Sequence, residues 1–318
     1  MPQPFGTRVA VVASLLAGCL FLAGCKGEVR QNIEQGDELL YEQKYARAES
    51  AYRKALKRLD EQSGGRETAK REALEALGKL LQVNNIYLHN YPQAVEDAKR
   101  IVADFPERPE SFFAQATIAD MEQHKLGNLP QAVNDYQKLI SKFKDRPEIP
   151  RYQLELVRLY FAMRNYDQAV HEAQKLIATW PQAAEVPQAH FEIGNVDYIT
   201  GKFQDGVTAY QVILKEFPND KLVPLARFEI ASCYQELGND SEALKLLYEA
   251  LKDHPHPQVV QRKIARIQRR QSQLVTSNAF EPSKGGGPRV PKKKAAAGKQ
   301  DAEEASSLPT VEGGVGGD

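Results

Sequence analysis

Six small residues mark out this chain, at Ala48, Ala94, Ala132, Ala169, Gly206 and Ala243. The gaps between them are 46, 38, 37, 37 and 37 residues. A proline keeps the same step at Pro106, Pro181, Pro218 and Pro255, and an aromatic stands three residues before the small residue at Tyr45, Tyr91, Tyr166 and Phe203. The third unit has Leu129 in the aromatic slot and Lys144 in the proline slot, the first lacks the proline, and the sixth has Asp240 in place of the aromatic. The stretch from Gly194 to Pro218 shows what one unit is. Ile193, Val196 and Ile199 recur at helical spacing, Gly201 breaks the run, and Val207, Tyr210, Ile213 and Leu214 resume it until Pro218. Helices this short cannot bury their apolar stripes alone. A step near 37 residues, kept by several residue types together, predicts an all-α solenoid of stacked helix pairs.

Composition then excludes several functions. Lys plus Arg and Asp plus Glu number 42 each, so no global field favours nucleic acid or acidic ligands. There are three cysteines, and Cys19 and Cys25 lie in an N-terminal apolar run. That leaves Cys233, so the body has no disulfide framework or thiolate metal site. Cys233 sits beside Ala231 and Tyr234 and is expected to be a small buried hydrophobe. The six histidines, at 89, 124, 171, 190, 254 and 256, have no Cys, His or carboxylate at ligand spacing. No Gly-rich phosphate loop follows a strand pattern, and no Gly-x-Ser-x-Gly elbow is present. The expectation is a binding protein without enzymatic activity, resident cofactor or small-molecule substrate.

The first unit reads Gly36-Asp-Glu-Leu-Leu-Tyr-Glu-Gln-Lys-Tyr45-Ala-Arg-Ala48-Glu-Ser-Ala-Tyr52-Arg-Lys-Ala55 and resembles the tetratricopeptide repeat. In that resemblance Gly36 is the close-approach position, Tyr45 the turn aromatic, Ala48 the tight contact, and Tyr52 and Ala55 second-helix core. The units run about Glu28–Leu59, Ala73–Pro106, Ser111–Lys144, Pro150–Pro181, Pro187–Pro218 and Pro224–Pro255. The array is therefore expected over 26–257 as a right-handed α-solenoid of about six hairpins. Pro150, Pro187 and Pro224 suit helix N-termini. The third unit carries one extra residue before Gly127. The polar segment from Glu61 and a longer helix, about Glu67 to Leu88, predict that the first unit stands somewhat apart. The resemblance implies a concave groove lined by first helices, with Tyr41, Lys79, Tyr87, Arg158, Phe161, Asn195, Tyr198 and Gln235 as candidates to bind a peptide.

Residues 1–25 hold one charge, Arg8, then an apolar stretch from Val9 to Leu22, and are expected to be an export signal. The segment ends Leu22-Ala23-Gly24-Cys25, which resembles the lipobox of bacterial lipoproteins; Leu16-Ala17-Gly18-Cys19 also fits, and Cys25 is preferred. The resemblance implies cleavage before Cys25, with a diacylglycerol on its sulfur and an N-acyl chain. Several acyl chains hold a protein durably on a membrane. Lys26 in place of Asp implies an outer-membrane address at the periplasmic face. The style of the repeats, an aromatic-Pro ending, a polar loop and a Pro before the next helix, resembles β-barrel assembly lipoproteins of the BamD type and the Tol-Pal-associated coordinator. The expected partners are thus envelope proteins, in outer-membrane protein assembly or, alternatively, a pilus, secretion or division machine. After Pro257 a helix over 258–276 has Val260, Ile264, Ile267 and Leu274 on one face. Arg262, Lys263, Arg266, Arg269 and Arg270 are expected on the other, as a basic amphipathic cap. From 277 to 318, low complexity predicts a disordered tail.

Overall fold

The structure is a computed structural model that describes residues 27–61 and 66–279, with side chains as far as residue 273. The expectations for the export signal, Cys19, Cys25 and the tail beyond Ala279 lie outside the described residues. Among the described residues every regular element is helical. Helix α1 covers residues 27–41. It is followed by α2 (Tyr45–Glu61), α3 (Glu67–Gln82), α4 (Tyr91–Asp104), α5 (Pro109–His124), α6 (Leu129–Lys142) and α7 (Ile149–Ala162). Then come α8 (Tyr166–Thr179), α9 (Val186–Ile199), α10 (Phe203–Glu216), α11 (Val223–Glu236), α12 (Asp240–Ala250) and α13 (Pro257–Ala279). Odd and even helices pair as six hairpins, and each hairpin packs on the next. The chain up to Ile267 is one compact unit, and a second begins at Gln268 within α13.

The same backbone solution closes every hairpin. One residue in each turn adopts positive φ: Gln43, His89, Gly127, Arg164, Gly201 and Gly238. Only half of these are glycine, although the left-handed region costs other residues roughly 1–2 kcal/mol. In four turns the amide before the second helix bonds to a carbonyl five residues back, as from Lys202 to Asp197. In the second and third hairpins the span is six residues, from Asn90 to Asn84 and from Asn128 to Glu122. The extra residue expected in the third unit thus has a counterpart in the second, taken up by a π-helix at Val83–Tyr87. The long first gap concealed it.

Between hairpins, an aromatic residue caps the second helix at Phe105, Phe143, Trp180 and Phe217. Its amide bonds to the carbonyl four residues back, and the chain then turns into a helix whose first turn holds a proline at Pro109, Pro150, Pro187 or Pro224. Proline fits there because its missing N–H is one the helix leaves unpaired anyway.

Among the described residues the core is divided. Apolar clusters instead join each hairpin to its neighbour, as expected when every unit buries its stripe on the next. The first hairpin does not stand apart, contrary to the expectation from its long connection. Val29, Ile33, Tyr52 and Leu56 share one cluster with Leu77, Leu80, Ile101 and Phe105. Arg53 also forks across to Asp97 with two 3.0 Å bonds.

Within the hairpins the core alternates. The position four after the small residue is Tyr52, Tyr136 and Tyr210 in the odd units and Ala98, Ala173 and Leu247 in the even ones, all buried. Each tyrosine donates its hydroxyl to the first helix: to Asp37 at 2.7 Å, Asp120 at 2.6 Å and Asn195 at 2.8 Å. Gly36 and Gly194 leave the room these rings need, since a Cβ at either would lie 2.4 or 2.5 Å from a ring carbon.

Candidate protein-binding face

The first helices α1, α3, α5, α7, α9 and α11 line one face, and side chains link α1 to α3 and α7 to α9 across hairpins. Arg30 reaches Glu75 at 2.8 Å, and Lys79 reaches Asp37 at 2.8 Å. Further along, Arg158 holds Glu155 at 2.6 Å and stands 3.8 Å from Glu192 of the next hairpin. Glu192 also accepts from Gln188 at 2.9 Å and Asn195 at 3.0 Å. Two predicted residues, Arg158 and Asn195, are therefore joined through a glutamate that sequence reasoning passed over. Its signal was present: Glu155, Glu192 and Glu229 recur at the 37-residue step.

The other predicted residues divide by environment. Tyr41 ends α1 and is 90% exposed. Tyr87 stacks on Tyr45 with ring centroids 4.5 Å apart and planes 12° apart. Phe161 and Tyr198 each meet the aromatic that opens the following helix, Tyr166 at 5.8 Å and Phe203 at 5.5 Å. Gln235 takes the equivalent place in the sixth hairpin, and its carbonyl oxygen is buried without a hydrogen bond. Lys79, Arg158 and Asn195 hold the array together as well as facing outward; Tyr41 makes no such contact.

At the far end of the face the groups are poorly solvated. Burial pushes the Tyr198 hydroxyl up to about 12, with Glu236 and Glu229 adding to it. Burial likewise raises the Glu229 carboxyl and takes the Cys233 thiol up to about 12. Cys233 is fully buried, as its apolar neighbours predicted. Lys263, expected on the outward basic face of α13, points inward. Its ammonium donates to Ser232 Oγ at 2.8 Å, lies 4.9 Å from the Phe228 ring centroid, and is driven down by burial. It borders the Val260–Ile264–Ile267 stripe, so its stem packs there and its head finds a partner beneath. Arg262, Arg266, Arg269 and Arg270 remain exposed.

Among the described residues no helix is long and apolar enough to cross a membrane, and no three His, Cys, Asp or Glu gather as metal ligands.

Two tetratricopeptide-repeat family models match the chain, one over residues 121–184 and 154–221 and the other over 225–256. A search of curated protein sequences gives no match. Among solved structures, the apo form of RapI aligns with a TM-score of 0.53 at 15% identity, covering 79% of this chain and 74% of that one. A tetratricopeptide repeat protein from Parabacteroides merdae aligns at 15% identity over 80% and 92% of the two chains, with a TM-score of 0.47. A MamA structure aligns at 16% identity over 58% and 94%, with a TM-score of 0.46. At these identities the likeness is one of fold, and RapI carries it. The turn geometry, hairpin stacking and family matches agree that this chain is an all-α solenoid carrying tetratricopeptide repeats.

Proposed function

We propose that this chain is a non-enzymatic scaffold that binds protein partners in the bacterial envelope, tethered to the outer membrane by acyl chains on Cys25 and facing the periplasm. The observation that carries the binding role is the first-helix face. Its frame repeats every 37 residues, yet the side chains on it change from Arg158 and Phe161 to Asn195 and Tyr198 to Gln235. A repeated frame with varied, half-buried amphipathic side chains suits recognition of a particular protein segment.

The tether rests on the sequence Leu22-Ala23-Gly24-Cys25 followed by Lys26. The machine served is outer-membrane β-barrel assembly, a reading supported by the aromatic-Pro endings and the prolines that reopen each hairpin. Pull-down from detergent-solubilised membranes tests it. Co-purification of barrel-assembly subunits is expected. Recovery of pilus or division proteins with no barrel-assembly subunit would overturn the assignment. Cys25→Ser is expected to move the protein out of the membrane fraction or block its processing; normal retention of that variant, with loss in Cys19→Ser, would shift the anchor to Cys19.

A further inference from the structure

The hairpin turns form an edge separate from the first-helix face, and exposed apolar side chains gather along it. Tyr41, Ile86 and Leu126, at or just past the first-helix ends of hairpins one to three, are 90%, 54% and 38% exposed. Two pairs of aromatic rings lie around them. Tyr45 stacks on Tyr87, His89 meets Tyr91 at 5.9 Å, and the Lys125 ammonium lies 5.7 Å from the Tyr91 ring centroid.

The charge on this edge is net positive in its first half. The turns of hairpins one to three hold Lys44 and Lys125, α2 adds Arg47 in its first turn, and the one acid in these turns, Glu42, is tied to Lys44 at 2.8 Å. The helices that start there, α2, α4 and α6, have no acid in their first turns. Hairpins four to six differ. They also expose Met163, Ile199 and Leu237, but α8, α10 and α12 open with Asp167, Asp205 and Asp240 plus Glu242. Arg164 and Lys202 in the turns of hairpins four and five are offset by Asp167 and Asp205, and the sixth turn has no basic residue, so the second half lacks the net positive charge of the first.

We infer that the turn edge of hairpins one to three is a second docking surface, and that it takes an acidic segment of a partner protein with apolar side chains spaced along it. Tyr41, Ile86 and Leu126 receive the apolar groups, and the tyrosine hydroxyls and Lys125 meet the carboxylates. Tyrosines carry interfaces well because a large apolar ring and a hydroxyl come with little conformational freedom to lose. Tyr41, Ile86 and Leu126 belong to successive hairpins, so the apolar groups of the segment are separated along it rather than contiguous. The favoured pattern is separated apolar residues with acids between. This goes beyond the first-helix reading: it shares Tyr41 and Tyr87 with those candidates but adds Ile86, Leu126 and Lys125, and its test reads Arg158 of the first-helix face separately.

The probe is a fluorescein-labelled 15-residue peptide with Leu at every third position and Asp or Glu elsewhere, followed by fluorescence anisotropy on the full chain. A peptide with Lys in place of every acid is the comparison. Expected are binding at least about tenfold tighter for the acidic peptide, weakening with salt, and a loss of about tenfold in Tyr41→Ser with Ile86→Ser and in Lys125→Glu. The Ile199→Ser with Leu237→Ser variant and the Arg158→Ala variant are expected to bind as the unmodified chain does. These side chains are exposed or surface-paired, and circular dichroism confirms that each variant is folded. No measurable binding of the acidic peptide, equal binding of the lysine peptide, or loss in Arg158→Ala with none in the edge variants would overturn the inference.

Discussion

Single residues set how closely the two helices of a hairpin approach. Gly36 and Gly194 face the Tyr52 and Tyr210 rings with no room for a methyl group. Gly194→Ala is therefore expected to cost about 1–3 kcal/mol by overpacking, read as a lower urea midpoint. Ala119 holds that step in the third hairpin, so the hairpin tolerates a methyl group when its packing is built around one. Adding Tyr210→Leu to Gly194→Ala should recover part of the loss, whereas simple additivity would show that the ring is not the cause. Tyr210→Phe alone removes the 2.8 Å bond to Asn195 and is expected to cost about 1 kcal/mol. The left-handed turn residues offer the opposite change. Arg164, at φ 58°, pays for its side chain in strain, and Arg164→Gly should stabilise by about 0.5–1 kcal/mol; an unchanged or lower midpoint would refute this.

At the scale of elements, helix α13 shows how one polar group shares a largely apolar contact. Its stripe of Val260, Ile264 and Ile267 packs against Ala231, Ala243 and Leu247. Ile267→Ala should cost about 2–4 kcal/mol, because the cavity it leaves cannot collapse fully. Lys263 contributes far less, since the loss of hydration of its ammonium offsets its bond to Ser232. Lys263→Met, which keeps the stem, should leave thermal stability unchanged or raised. A drop as large as that of Ile267→Ala would mean the ammonium is a main fastener of the helix. The π-helix at Val83–Tyr87 plays a different part: it absorbs one residue while Ile86 stays exposed and Tyr87 stacks on Tyr45.

Across the whole molecule, buried protonated groups make the fold sensitive to alkali. The Cys233 thiol and Tyr198 hydroxyl are both pushed up to about 12, from ordinary values of 9.0 and 10.0. Tyr52, Tyr136 and Tyr210 move in the same direction, chiefly through burial. A raised folded value means the unfolded chain gives up its protons first. The contribution of these groups to stability is thus full below about pH 9 and is lost as pH rises from there through about 12, opposed in part by Lys263, whose lowered value acts in the other direction. Urea midpoints at pH 8, 10 and 11 should decline in that order, and Cys233→Ala should flatten the onset near pH 9. A flat profile would mean these groups are hydrated in solution. Because each cluster joins only neighbouring hairpins, such losses are expected to weaken the last two hairpins before the first two.

Much of this architecture could be read from residue order. Helix pairing, the 37-residue step, the turn glycines and the prolines that open helices are local matters, decided by backbone sterics within a few residues. Gly201 was legible as a break, whereas the left-handed residues Gln43 and Arg164 were not, because neither residue type favours the conformation it is held in. The periodicity of a helix also says which side of its own axis a residue takes, but not what the next hairpin brings up to it. So Arg158 and Asn195 were legible as first-helix residues, while their meeting through Glu192 was not. Lys263 was assigned to the wrong side, since a residue bordering an apolar stripe is turned in or out by the partner it finds, here Ser232 and Phe228. Order along the chain determines the helices and their spacing; the stacking of one hairpin on another decides which side chains become structural and which stay free to bind.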